Sequence, residues 1–464
     1  MIPPASPHAS SPESAGPSSA ARILLIGGGQ VGVNAALRLR ARLKPGEAEL
    51  TLVDPTSYMT YQPFLAEAAS GAIDPRHVVV PLRRALRGVK VMQGRLTSLD
   101  QPNARAHLLL PAPVHGASPI ELTLPYDLLV LAPGSVSRIL PVPGLAEHGI
   151  GFRSVEEAVK LRNHVLSQLD VASSTRDPEL RQAALTFVFV GGGYAGTGAL
   201  AELEDMARHA TSHYHNLRPE DLRWVLVEAG KRILPETEPQ AAERTTAELR
   251  DRAIDVRLGT RLAAVGADGT VQLTDGSRFA ARTLVWTAGV RANPVLKQTG
   301  LAVDAQGRLR CDSHLRVLGT ERVFAAGDSA AVPDLARPGE TCRANAQHAV
   351  HQAMVLADNL VACLRGQPTT AYRRELKGTI TSLGLHQGVA QLRSRSLHGR
   401  SAWLLHRAVH LRRVPTWERK ARVMSDWLLA SLTGREIVSL GELEEPRAGF
   451  EHLLDEGVGE GGPI

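Results

Sequence analysis

Arg22-Ile-Leu-Leu-Ile-Gly-Gly-Gly-Gln-Val-Gly32, followed 22 residues after its last glycine by Asp54, decides the fold of this 464-residue chain. The apolar run 22–26 reads as a short buried strand, Val33 to Leu43 has helical rhythm, and Ala48 to Val53 reads as a second strand that ends at the acid. Strand, Gly-x-Gly-x-x-Gly, helix, strand and terminal acid, all in register, form the layout of a dinucleotide-binding unit. Gly27 permits the tight turn, Gly29 lets backbone approach a pyrophosphate, and Gly32 lets helix and strand pack closely. The helix N-terminus favours phosphate charge, and Asp54 can accept hydrogen bonds from ribose hydroxyls.

The pattern returns 164 residues later. Leu185 to Val190 reads as a strand, Gly191-Gly-Gly-Tyr-Ala-Gly196 as the turn, Thr197 to Ala210 as a helix, and Arg223 to Val227 as a strand ending at Glu228. The added length before Glu228 suggests an extended helix or a surface loop around 208–221. A glutamate at the ribose position favours NADH over NADPH, because it repels a 2′-phosphate; Arg232, four residues on, pulls the other way. Two further apolar strands close on small-residue turns, Tyr126–Ala132 on Gly134 and Thr283–Ala288 on Gly289, and each could finish a nucleotide-binding half. Arg322 to Asp328 reads as a buried strand ending in Gly327 and Asp328.

Length and a 43% apolar composition suit two or three globular domains. Cys311, Cys342 and Cys363 stand far apart, which argues against a disulfide scaffold, a thiolate zinc site or a dithiol of neighbouring cysteines, and no cluster has metal-ligand spacing. The net charge of +6 is unevenly spread: residues 391–435 carry ten Lys/Arg against two Asp/Glu, so the rest of the chain sums to −2. A basic excess confined to one segment indicates a surface patch and not a nucleic-acid-binding protein. Trp403, Trp417 and Trp427 share that segment. Tryptophan with arginine on amphipathic helices suits a membrane interface. An ordinary solvated helix pair with inward tryptophans is the other reading. Residues 1–20, rich in Pro, Ser and Ala without an apolar core, read as a disordered tail and not a secretory signal.

From about Arg22 to Leu440 the chain resembles the flavoproteins with two dinucleotide folds, and among them the type II, non-proton-pumping NADH:quinone oxidoreductases. The resemblance implies an α/β protein with two Rossmann-like domains, an FAD domain interrupted by an NADH domain, and a C-terminal amphipathic helical segment. It places FAD on Gly27, Gly29, Gly32, Asp54, Gly134, Gly327 and Asp328, and NADH on Gly191, Gly193, Gly196, Glu228 and Gly289. The expected domains are a tail (1–20), the FAD domain in two parts (21–150 and 301–390), the NADH domain (151–300), membrane-associating helices (391–445) and a flexible tail (446–464). Tyr58–Leu65 with Ala69-Ser-Gly71 is similar to the family's segment beside the flavin, and Asn345–Gln352 to its quinone-side helix.

The activity so implied is oxidation of NADH through FAD and delivery of two electrons to a quinone. The partners implied are NADH, quinone and a membrane surface met through 401–440, with the protein peripheral on the cytoplasmic face of the cell membrane. Homodimerisation is also common in the family, although no heptad marks it in this sequence. Gln347, Lys377 and His351 are the candidate catalytic residues: a hydrogen-bond donor to the acceptor, a cation for developing negative charge, and a proton source in a position where glutamine is common. The chain departs from the family at Gly198, where a glutamate is typical two residues after the last glycine of the second motif. Glu202 follows one turn later on a slightly rotated face. Two alternatives stay open: a soluble NAD(P)H-dependent reductase of a small redox protein, which would keep both nucleotide folds but have no use for the Trp/Arg segment, and, motivated by Gly198, a flavin-binding regulator without turnover.

Overall fold

The computed structural model describes residues 20–114, 117–375, 378–392 and 395–439. The elements that carry the site begin with strand β1 (Ala21–Ile26), helix α1 (Gln30–Arg42), β2 (Ala48–Asp54), α2 (Leu65–Ala69), β3 (Lys90–Gln93) and β4 (Leu128–Leu131). They continue with β5 (Gly149–Gly151), α3 (Val155–Ser174), β6 (Thr186–Val190), α4 (Tyr194–Thr211), β7 (Arg223–Glu228), β8 (Asp255–Leu258) and β9 (Thr283–Trp286). The last are β10 (Val323–Ala325), α5 (Ala346–Leu364), β11 (Gly378–Ser382), β12 (Gly388–Leu392), β13 (Arg395–His398), α6 (Gly399–Arg413) and α7 (Trp417–Thr433).

The chain forms two compact units, the first from residues up to 56, 86–133 and 294–373, the second from 57–85, 134–293 and 374 onward. In the first, five parallel strands run in the order β10-β4-β1-β2-β3. Runs such as Leu24-Leu25-Ile26 and Leu128-Leu129-Val130-Leu131 are buried along their length, as a parallel sheet covered on both faces requires. Helix α1 packs along α5, and Asp358 of α5 pairs with Arg38 (2.6 Å) and Arg42 (3.1 Å) of α1.

The second unit repeats this plan with the parallel order β5-β9-β6-β7-β8. Phe187 stacks on Trp224 at 4.3 Å between ring centroids, in a core that includes Leu161, Leu200, Met206 and Leu226. Helix α3 starts in a capping box, with the Ser154 hydroxyl accepting from the Glu157 amide. The three-stranded antiparallel sheet β11-β12-β13 leads into α6 and α7, which are separated at Pro415.

The structure bears on three expectations. Residues 57–85, expected in the first domain, pack in the second unit, because Leu65 and Ala69 of α2 complete the apolar core around α3 and α4. Helix α4 begins at Tyr194, directly on the glycine turn, and beyond Thr211 the chain turns into a short 3₁₀ segment at Pro219–Asp221. Of the three C-terminal tryptophans, Trp403 and Trp427 are buried and only Trp417 is exposed.

Candidate functional site: two glycine turns, each clamped by its own acid

In the first unit β1 ends at Gly27, whose φ of +108° belongs to glycine alone; a Cβ there would collide with the Ala132 carbonyl of the neighbouring strand end. Gly32 touches the Gly27 carbonyl oxygen closely enough to exclude a side chain, which brings α1 onto the turn. Gly29, the N-cap of α1, is different. Its φ of −77° suits any residue, and beyond its own chain neighbours no atom of the described residues lies within 4 Å of where its Cβ would be. Nothing in the fold of the chain requires glycine at this point. The fit is to a group that approaches the backbone from outside, at a helix N-terminus whose free amides favour an anion.

The acid closes the turn. The Gly28 amide donates to Asp54 Oδ2 at 2.6 Å, while Oδ1 accepts from the Thr56 amide and hydroxyl, both at 2.7 Å. Gly327 follows β10 at φ +67° with Val31 of α1 beside it, so the late glycine-acid motif lies at the same helix N-terminus. Its amide donates to Gln352 Oε1 at 2.7 Å. Gln352 closes the Asn345–Gln352 stretch that carries the resemblance but was not a candidate site residue; it is buried on α5.

The second unit reproduces this geometry. Gly191 has φ +117°, and Gly193, the N-cap of α4, has no protein atom within 4 Å of a would-be Cβ. The Gly192 amide donates to Glu228 Oε2 at 2.6 Å, and the Gly230 amide to Oε1 at 2.6 Å. Gly196 abuts the Gly191 carbonyl and the Thr287 hydroxyl. Arg232 turns its guanidinium to the Pro235 carbonyl at 3.0 Å. Gly134 (φ +74°) and Gly289 (φ +96°) both belong to this unit, where Gly134 accepts from the Asn293 amide at 3.1 Å. An open groove of about 940 Å³ lined by Asp100, Gln101, Tyr126 and Arg322 lies by the starts of β4 and β10, the end of the sheet opposite the glycine turns.

The family described as pyridine nucleotide-disulphide oxidoreductase matches residues 21–353, a span that contains both turns. The chain belongs to the pyridine nucleotide-disulphide oxidoreductase family. Among its relatives, the demethylphylloquinone reductase NdbB of Synechocystis is 30% identical over 89% of this chain and 96% of its own length. The type II NADH:quinone oxidoreductase Ndh of Mycobacterium tuberculosis is 28% identical over 89% of each. The structure of NDH2 from Plasmodium falciparum in complex with NADH superposes with a TM-score of 0.82, covering 90% of this chain and 99% of that one at 17% identity, a likeness of fold. The two sequence relatives bear out the resemblance to the type II NADH:quinone oxidoreductases and do not favour a reductase of small redox proteins or a regulator.

Gln347 and His351, the residues expected at the acceptor, are four residues apart on α5 and share one half-buried face. The Asn345 side chain caps that helix by accepting from the Gln347 amide at 2.7 Å. Lys377 lies outside the described residues. At Gly198 a Cβ would rest in ordinary contact with the Thr381 hydroxyl (3.6 Å), the Ser382 carbonyl (3.7 Å) and Ala66 (3.9 Å), so the backbone has room for a side chain. Glu202, one turn further along α4, meets the same residue of β11, Ser382. Its carboxylate pairs with Arg435 at 2.8 Å and accepts from Ser382 (2.6 Å) and Ser70 (3.1 Å), all in the second unit.

Cys311 and Cys342 are buried in the first unit, and burial raises both thiols above their ordinary range, Cys342 to about 11. The buried faces of α6 and α7 meet at Arg407, whose guanidinium carbon lies 3.7 Å from the ring centroid of Trp403 and 4.6 Å from that of Trp427. The other face is apolar: Trp417, Met424, Leu428 and Leu432 form one exposed ridge of α7, with Leu404 exposed on α6. Arg412, Arg413 and Arg422 are exposed on the same two helices. Among the described residues no helix is long and apolar enough to cross a membrane.

Proposed function

We propose that this protein oxidises NADH and reduces a quinone with FAD as its resident cofactor. Two clamped glycine turns, one on each parallel sheet, carry the reading, and the names of the relatives support it. In it, Gly27, Gly29, Gly32, Asp54, Gly327 and Asp328 hold FAD, with Gln352 fixing the Gly327 amide. Gly191, Gly193, Gly196 and Glu228 hold NADH, and the Glu228 carboxylate excludes a 2′-phosphate. Bound FAD supplies the two-electron carrier chemistry that no side chain offers. Gln347, His351 and Lys377 are assigned to the acceptor, where reduction of a quinone to the quinol takes up two electrons and two protons.

A quinone is dissolved in lipid, so the exposed ridge of α7 with its flanking arginines is assigned to a membrane surface, with the protein peripheral on its cytoplasmic side. A homodimer belongs to the same proposal and is checked by light scattering. The deciding experiment is an anaerobic titration of the FAD-loaded protein with NADH followed by a quinone. Loss of the flavin absorbance on NADH and its return on quinone is the expected result; no bleaching with FAD bound would overturn the assignment.

A further inference from the structure

Four elements of the second unit meet around one carboxyl group. Glu67 of α2 is 1% exposed. Its Oε2 accepts from the Trp427 indole of α7 at 2.6 Å. Its Oε1 has no hydrogen-bond partner and faces Nδ1 of His406 on α6 at 3.6 Å, and that nitrogen has no partner either. Two buried polar atoms left unmatched and turned toward each other are costly, and a proton shared across the 3.6 Å gap, with a small closing shift, would match both.

The surrounding charges leave Glu67 the weaker partner. Glu202 of α4 lies in the same pocket but takes Arg435 directly at 2.8 Å, and that guanidinium also binds Asp205 (2.5 Å) and the Ser70 hydroxyl. Among the described residues Glu67 has one guanidinium within ion-pair reach, Arg407, at 3.7 Å and without a hydrogen bond, its Nε unpartnered and its guanidinium carbon over two indole rings. Glu204, two positions further along α4 and so on its other side, pairs with Arg208 and Arg252. The remaining titratable neighbour, His410, packs with His406 around the Phe64 ring.

We propose that Glu67 is a proton-binding site: its carboxylic acid donates to His406 Nδ1, and the bound proton seats helices α6 and α7 on the core of the second unit. The electrostatics agree. Burial, and then the charge of Glu202, push the Glu67 carboxyl up to about 7, whereas Arg435 and the serines hold Glu202 below its ordinary range against the same burial. Burial and then Arg407 lower His406 to about 3, so the imidazole is neutral and free to accept. Burial, with His406 and Arg413, likewise keeps His410 neutral.

Infrared spectroscopy of the full-length, FAD-loaded protein tests the site directly. A protonated-carboxyl band present at about pH 5, fading through neutrality and missing from Glu67→Gln, is expected. No such band in the wild type, or the same band in Glu67→Gln, would overturn the proposal; a carboxylate accepting from an Nδ1–H tautomer of His406 gives the first of those results. Thermal unfolding supplies a second readout. Because the folded value is raised, the stabilisation is complete below the unfolded value near 4.5 and is lost as pH rises through about 7. The wild type should therefore lose several degrees of Tm relative to Glu67→Gln between about pH 5 and pH 8; parallel curves would count against the site. Should Glu67→Gln not fold, His406→Gln serves: the band persists at a shifted frequency and its midpoint moves, and an unchanged band would refute the pairing.

Discussion

At the scale of single residues, the acid of each dinucleotide motif is bonded to the second glycine of its own turn. Gly28 donates to Asp54 and Gly192 to Glu228, both at 2.6 Å. Each carboxylate is thereby held at the mouth of a helix N-terminus, oriented before any ribose arrives. Gly29 and Gly193 differ from their neighbours in having no packing reason to be glycine. Gly29→Val should accordingly leave the far-UV circular dichroism and the fold intact while weakening FAD binding by about tenfold or more, read by equilibrium dialysis of the flavin. Glu228→Gln removes the charge that repels a 2′-phosphate, and the NADPH-to-NADH ratio of kcat/KM should rise by about tenfold. The turns and their acids were legible because their chemistry is written as spacing along the chain. Gln352 was not, because it acts on an amide 25 residues away and a lone glutamine inside a helical rhythm carries no mark. Glu202 shows the same limit, since its partners come from residues 70, 382 and 435.

At the scale of elements, the amphipathic helical segment that the resemblance implied is present as α6 and α7, on either side of Pro415. Rhythm does not say which apolar residues turn inward. Trp403 and Trp427 pack inward with Arg407 at their rings, as the solvated-helix reading expects of tryptophans, while Trp417 is exposed at the head of the outward ridge. Leu428 and Leu432, 62% and 74% exposed, make no contribution to the core. The double substitution Leu428→Asp with Leu432→Asp should change stability by no more than about 0.5 kcal/mol per site. The same variant should lose vesicle binding by about tenfold or more, measured by co-sedimentation with anionic liposomes.

At the scale of the whole molecule, one plan is used twice. Each unit has five parallel strands, a glycine turn at the carboxyl end of a central strand, and an acid at the end of the next. The duplication was plain from the two motifs, but the allotment of 57–85 to the second unit was not, since it depends on side chains that meet only after folding. A cofactor that binds only the folded chain stabilises it by mass action, so FAD at about a hundred times its Kd should add about 2.7 kcal/mol, seen as a rise in the calorimetric Tm. All five tryptophans fall within the described residues, and four of them, at positions 224, 286, 403 and 427, are under one-tenth exposed. Trp417 is 78% exposed and stands at the start of the apolar ridge. The native chain therefore carries its own optical probe: aqueous iodide can reach one indole alone, and if the ridge enters lipid as proposed, brominated acyl chains should dim that same emitter.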